Sequence, residues 1–178
     1  MPKAILFDLD DTLISAYGDP MTAWSAVLDE FSHSIEPNSK VPVLEAIVVE
    51  TQSFWADDTR STPWRQHVNE ARRKIVRAAL MRLERRTHPT IRGDLGERLV
   101  DRFSSYRLET MSLFDGAHAL LDRLRQAGVK LALITNGSAE AQREKLRRFD
   151  LERRFDHIQI EGDVGFGKPD QRAYTTAL

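Results

Sequence analysis

Two aspartates two residues apart, Asp8 and Asp10, stand where a short apolar run, Ala4-Ile5-Leu6-Phe7, stops. Carboxylates this close repel one another unless a cation intervenes, and a site offering only oxygen ligands favours Mg²⁺. Once neutralised, one carboxylate can attack phosphorus while the other moves a proton. Far along the chain come Thr135-Asn136-Gly137 and then Lys168-Pro169. A threonine hydroxyl followed by backbone amides at a helix N-terminus is a natural donor set for phosphate. A lysine in the same cleft stabilises charge on the equatorial oxygens during transfer. Singly, each piece is weak: a helix cap with surplus acids, an ordinary strand-end turn, a common loop tripeptide. Their order, and their placement after apolar runs, make the case.

Those residues need strands to hold them. Ala4–Phe7 suits a buried strand. A second run, Val129-Lys130-Leu131-Ala132-Leu133-Ile134, leads into Thr135. A third and weaker run, Phe155 to Ile160, leads into a loop through Gly162, Gly165 and Gly167. Helical pattern lies between them. Ala117, Leu120, Leu121 and Leu124 recur at helix spacing before Gly128, which is well placed as a C-terminal cap, and Ser138 can cap a helix through Leu146 and Phe149. Strand, helix, strand, helix, strand is the signature of a parallel α/β sheet, whose ligands sit beyond the carboxyl ends of its strands.

The stretch from about 20 to 110 breaks that rhythm. It offers no convincing strand and three helical patterns: Trp24, Val27, Leu28 and Phe31; Val68, Ala71, Ile75, Ala79 and Leu83; and Leu95, Leu99 and Phe103. Pro20, Pro37, Pro42, Pro63 and Pro89 punctuate it as helix starts or breaks. A parallel crossover needs only about a dozen residues, so this segment predicts an inserted helical domain. Between Arg60 and Arg107 it carries twelve arginines and one lysine against five acids. Most of these are expected on solvated helix faces; the sharper reading is a positive lobe that attracts an anionic substrate, with Arg65 or Arg72 meeting it. Trp55 and Trp64 suit a helical core better than a stacking platform.

Composition narrows the class. The chain has 178 residues, 41% hydrophobic and 30% charged, with a formal net charge of −1. That gives no global case for nucleic acid or an anionic membrane, and no run approaches the roughly 18 apolar residues of a membrane span. Acids at position 8 interrupt any signal-peptide core. Cysteine is absent, which excludes disulfides and thiolate chemistry and is compatible with a reducing cytoplasm, the expected location. The five histidines, at 33, 67, 88, 118 and 157, are scattered without metal-ligand spacing.

At these motifs the chain strongly resembles the haloacid-dehalogenase-like (HAD) hydrolase superfamily. The first motif reads Ile5-Leu6-Phe7-Asp8-Leu9-Asp10-Asp11-Thr12-Leu13, the second Leu133-Ile134-Thr135-Asn136-Gly137, the third Gly165-Phe166-Gly167-Lys168-Pro169-Asp170. The resemblance implies an α/β fold, a Rossmann-like parallel sheet core at 1–18 and 111–178, with an all-helical cap inserted at 19–110. It implies Mg²⁺-dependent hydrolysis of a small phosphorylated metabolite. Asp8 would be the nucleophile, forming an aspartyl-phosphate, and a metal ligand. Asp10 would protonate the leaving oxygen, then activate water, and also meet the metal through its carbonyl. Thr135, Asn136 and Gly137 would hold the phosphoryl oxygens, and Lys168 would pair with Asp8 and the phosphate. Asp11 has no role in the family's pattern and is expected to cap or be solvated, and Thr12 would support the loop.

The acid at Asp10 argues against a dehalogenase, which attacks carbon without a metal and carries no acid there. A receiver-type signalling domain would carry its aspartate on a middle strand without a long helical insertion. A catalytically silent relative is the remaining alternative. The family's fourth motif, a Gly-Asp with further acids, has no counterpart after Lys168; Gly162-Asp163 precedes it and is no substitute. Since the chain ends at Leu178 within a helical pattern, the resemblance implies a C-terminally truncated enzyme. Such a chain is expected to bind Mg²⁺ weakly, to be nearly inactive, and to leave Ala4–Phe7 on an exposed edge.

Overall fold

The computed structural model describes residues 2–16, 18–85 and 94–177. In chain order the strands are β1 (Ala4–Phe7), β2 (Ile14–Ser15), β3 (Ser112–Leu113), β4 (Lys130–Thr135) and β5 (His157–Ile160). The helices are α1 (Pro20–Glu30), α2 (Lys40–Ala56), α3 (Asp58–Ser61), α4 (Val68–Glu84), α5 (Leu95–Thr110), α6 (Ala117–Gln126), α7 (Ala139–Arg148), α8 (Glu161–Val164) and α9 (Gln171–Thr175). They divide into two compact units, 1–17 with 111–178 and 18–110.

In the first unit β1, β4 and β5 form a parallel sheet in the order β1-β4-β5. The apolar runs explain the pairing: Phe7 lies opposite Leu133, and Thr135 opposite Ile160. β4 is central and buried from Leu131 to Thr135. β1 is an edge of the described sheet, with Ile5, Leu6 and Phe7 half-buried. Helix α6 lays Ala117 and Leu121 into the core beside Leu131 and Leu133. It stops where expected: Gly128 takes φ 76, which lets its N–H reach Arg125 O while Val129 N–H reaches Leu124 O. That left-handed position strains any residue with a Cβ. A short antiparallel pair, β2 with β3, closes the chain where it leaves for residues 18–110 and where it returns. Two-residue strands carry no sequence period, so this pair escaped prediction.

The second unit is helical throughout its described residues. The three predicted patterns correspond to α1, α4 and α5. The fourth long helix, α2, has no counterpart among them. It is apolar on several sides, so no 3.6-residue stripe stands out. Pro42, a helix start or break by its sequence, lies in the first turn, where its missing N–H has no helical partner to lose. Trp24 stacks on Phe103, ring centroids 3.8 Å apart, among Val27, Leu28, Val43, Ile47, Val76 and Leu99. Phe54, Ala71 and Ile75 form a smaller cluster that Trp55 and Trp64 flank. Much of the arginine surplus is engaged in ion pairs. Arg73 meets Glu97 and Asp101, Arg77 meets Glu97, and Arg102 meets Glu30 and Glu109. Arg65 lies 3.5 Å from Asp58, and Arg72 contacts Asn69 and Ser104. Arg86, His88, Pro89 and Arg92 lie outside the described residues.

Candidate active site at the carboxyl ends of the strands

The core strands lead into the residues singled out by type and spacing. β1 delivers Asp8, whose Oδ1 accepts the Leu9 N–H at 2.7 Å. Leu9, fully buried, and Leu13 and Ile14 below it anchor the following turn in the core. Asp11 closes that turn: it sits at φ 53, accepts the Ala16 N–H at 2.9 Å through Oδ1, and donates its own N–H to Ile14 O. β4 delivers Thr135, Asn136 and Gly137, and Ser138 then caps α7. β5 leads through α8 to Lys168.

Lys168 reaches back to Asp8: Nζ lies 2.7 Å from Oδ1. Its backbone is held by Asn136, whose Nδ2 donates to Lys168 O and whose Oδ1 accepts from Lys168 N, both at 2.8 Å. The Asn136 side chain is therefore a clamp between two loops, with both polar ends used. Gly167 makes the clamp possible, since a Cβ there would fall 2.5 Å from Asn136 Oδ1 and 2.8 Å from Glu161 Cδ. The Gly137 N–H donates to Glu161 Oε2 at 2.9 Å, so a carboxylate sits where a phosphoryl oxygen would be sought.

Three residues of this network were not among the sequence candidates: Gln142, Lys145 and Glu161. Gln142 is 2% exposed. Its Nε2 lies 2.5 Å from Thr135 Oγ1, 2.8 Å from Asn136 O and 3.1 Å from Asp10 Oδ2. Lys145 places Nζ 2.8 Å from both carboxylate oxygens of Asp10. A faint signal exists. Gln142 and Lys145 are three apart, hence neighbours on one helix face, and Gln142 lies one turn before the core residue Leu146, where a polar residue is unexpected. Asp8, Asp10, Thr135, Asn136, Gly137 and Lys168 thus belong to one bonded network. Asp163 does not, since it pairs with Arg143 at 2.7 Å.

A hard divalent cation suits this donor set, because Mg²⁺ typically takes one or two carboxylates and keeps waters or substrate phosphate for its remaining positions. Among the described residues no three His, Cys, Asp or Glu side chains converge. Both carboxylates are engaged, Asp8 by Lys168 and the Leu9 N–H and Asp10 by Lys145 and Gln142; the donors that could hold the ion are the Asp8 carboxylate and, as the family resemblance implies, the Asp10 carbonyl.

The fold and the network together define a class. The family model for haloacid dehalogenase-like hydrolases matches residues 2–178, and the chain belongs to that family. It is 46% identical over 66 residues to phosphoserine phosphatase of Thermus thermophilus, covering 37% of this chain and 26% of that protein. It is 28% identical over 175 residues to N-acylneuraminate-9-phosphatase of Mus musculus, covering 94% of this chain and 64% of that one. The chain thus spans less than two thirds of the length of either relative. The HAD-hydrolase YfnB of Bacillus subtilis, solved bound to magnesium, superposes with a TM-score of 0.63 at 23% identity, over 97% of this chain and 69% of that one. Dehalogenases share the same fold. No described helix is long and apolar enough to cross a membrane.

Proposed function

We propose that this chain carries the chemistry of a Mg²⁺-dependent phosphatase that hydrolyses a small phosphorylated metabolite through an aspartyl-phosphate on Asp8. The observation that carries the reading is the Lys168–Asp8 ion pair at 2.7 Å, which joins a cation and a nucleophile from opposite ends of the sequence beyond the carboxyl ends of the strands. Asp8 attacks phosphorus through a carboxylate oxygen, and the bond to the leaving oxygen breaks as Asp10 gives that oxygen a proton. Asp10 then takes a proton from water, the water oxygen bonds to phosphorus, and the acyl-phosphate bond to Asp8 breaks. Thr135 Oγ1, the amides of Asn136 and Gly137, and Lys168 Nζ bind the phosphoryl oxygens, and Glu161 yields the Gly137 amide when phosphate enters. The Asp8 carboxylate and the Asp10 carbonyl would hold a Mg²⁺, which would supply neutralisation of phosphoryl charge. An acid at position 10 favours phosphoryl transfer over dehalogenation, and the phosphatase names of the relatives favour a small phosphate ester. The arrangement at 19–110 supports a substrate-selecting cap.

Phosphate release from p-nitrophenyl phosphate tests this. Turnover that is slow, in keeping with the weak Mg²⁺ binding expected from the sequence, that needs Mg²⁺, stops with chelator and is lost in Asp8→Asn is the expected result. Equal activity of Asp8→Asn would remove Asp8 as nucleophile; absence of turnover in the wild type with Mg²⁺ would favour a silent phosphate-binding relative.

A further inference from the structure

We infer that Gln142 and Lys145 are positioning residues that fix Asp10 and orient the Thr135 hydroxyl, a role resting on the phosphatase reading above. The chemistry of Gln142's neighbours decides which way its amide points. The Asn136 carbonyl, 2.8 Å away, cannot donate, so it requires the N–H end. Thr135 Oγ1, 2.5 Å from the same nitrogen, is therefore an acceptor from Gln142, and its own proton points to Asn136 O at 3.4 Å, a long bond that a phosphoryl oxygen can replace. Gln142 in this way makes Thr135 a donor, the polarity a phosphate ligand needs. The same amide reaches Asp10 Oδ2 at 3.1 Å, so the proton-transferring carboxylate and the phosphate-binding hydroxyl are set by one side chain.

Lys145 fixes the other coordinate. With Nζ 2.8 Å from each oxygen of Asp10, it meets the carboxylate symmetrically and restricts rotation about the last side-chain bond. Fold stability is a weak reason for the pair. The side chains are 15% and 10% exposed, and burying two charges costs much of what their attraction returns. Helix α7 is already seated on the sheet by Leu146, which is fully buried. What the pair supplies is a defined carboxylate position, and misplacing a catalytic group by about 1 Å is enough to cost around a hundredfold in rate.

The test compares Lys145→Met, Lys145→Arg and Gln142→Leu with the wild type. In Lys145→Met, kcat and kcat/KM are expected to fall together by roughly ten- to a hundredfold, with competitive inhibition by inorganic phosphate unchanged and most of kcat regained in Lys145→Arg. Gln142→Leu, which also removes the partner of Thr135, is expected to weaken inhibition by phosphate as well. A crystal structure of Lys145→Met is expected to show the Asp10 carboxylate rotated from its wild-type position. An unchanged kcat in Lys145→Met, a loss confined to KM, or an Asp10 carboxylate that keeps its place overturns the inference. A wild type that hydrolyses no phosphomonoester defeats the phosphatase reading instead, and the Asp10 position in the two crystal structures then decides the positioning role by itself.

Discussion

Asn136 shows how a residue named for one task does another. Its type and place after β4 suggest a phosphate ligand, yet both ends of its side chain hold the backbone of Lys168. Any contact it makes with phosphate falls to its amide N–H. The clamp depends on Gly167, where a methyl group would collide with Asn136 Oδ1 and Glu161. Gly167→Ala is expected to destabilise the sheet unit by about 1–3 kcal/mol and to lower kcat/KM through a displaced Lys168. Thermal unfolding with phosphatase kinetics checks it, and a variant with native kcat/KM would show that the clamp does not position Lys168. Asp8 and Thr135 were legible in the sequence because each stands where an apolar run stops, and Lys168 because it follows in the glycine-rich loop after the third run. Gln142 and Lys145 were not. Their partner Asp10 is 132 and 135 residues away, and on a helix surface their polarity looks like ordinary solvation. Only the parallel pairing of β1 with β4 brings α7 over the acid.

At the scale of elements, strands and amphipathic helices were the readable part, and α2 was the blind spot. Its sequence hides a second surprise, a glutamate in the core. Glu50 is 2% exposed and lies between Arg60 Nη2, 2.8 Å from Oε1, and Arg82 Nη2, 2.7 Å from Oε2. Arg60 also covers the ring of Phe54 at 4.8 Å. This triad ties α2 to α4 and to the short α3. The three groups differ in what their loss leaves behind. Without Glu50, both arginines can turn to water, being 36% and 53% exposed. Without the arginines, a carboxylate is left buried and uncompensated, which typically costs about 3–5 kcal/mol. Arg60→Ala with Arg82→Ala is therefore expected to destabilise the helical unit by that amount, and adding Glu50→Leu to recover most of it. Denaturant unfolding followed by tryptophan fluorescence measures this. A triple variant no more stable than the double would show that the cost lies in lost arginine packing and not in the stranded charge.

Across the whole molecule, the two units have cores of different construction and can be followed separately. All three tryptophans, Trp24, Trp55 and Trp64, lie in the helical unit, so fluorescence reports that unit alone. Acid provides a common stress. In the helical unit the Thr22 hydroxyl and the Met21 N–H hold the Asp19 carboxyl below its ordinary range, and Arg102 does the same for Glu30. In the sheet unit Asp150 is lowered by Arg153, Asp156 by the Leu131 N–H and Lys130, and Asp170 by Arg172. Each folded pKa lies below its unfolded value, so the unfolded chain binds more protons as acid is added. The stability each contributes is whole above the ordinary carboxylate pKa of about 4 and is lost as pH falls through the lowered folded value. Asp19, Glu30 and Asp156 are exposed and Asp150 and Asp170 half-buried, and added salt is expected to shrink the effect. Between about pH 5 and about pH 2.5 both the fluorescence transition and the far-ultraviolet circular-dichroism transition should move to lower temperature, the loss being smaller in salt. Because Asp19 caps α1, Asp19→Ala should flatten the fluorescence response while leaving that of the sheet unit intact. A fluorescence midpoint that does not move over this range would show that these carboxyls are held as tightly protonated as ionised, and that the helical unit owes its stability to the Trp24–Phe103 core alone.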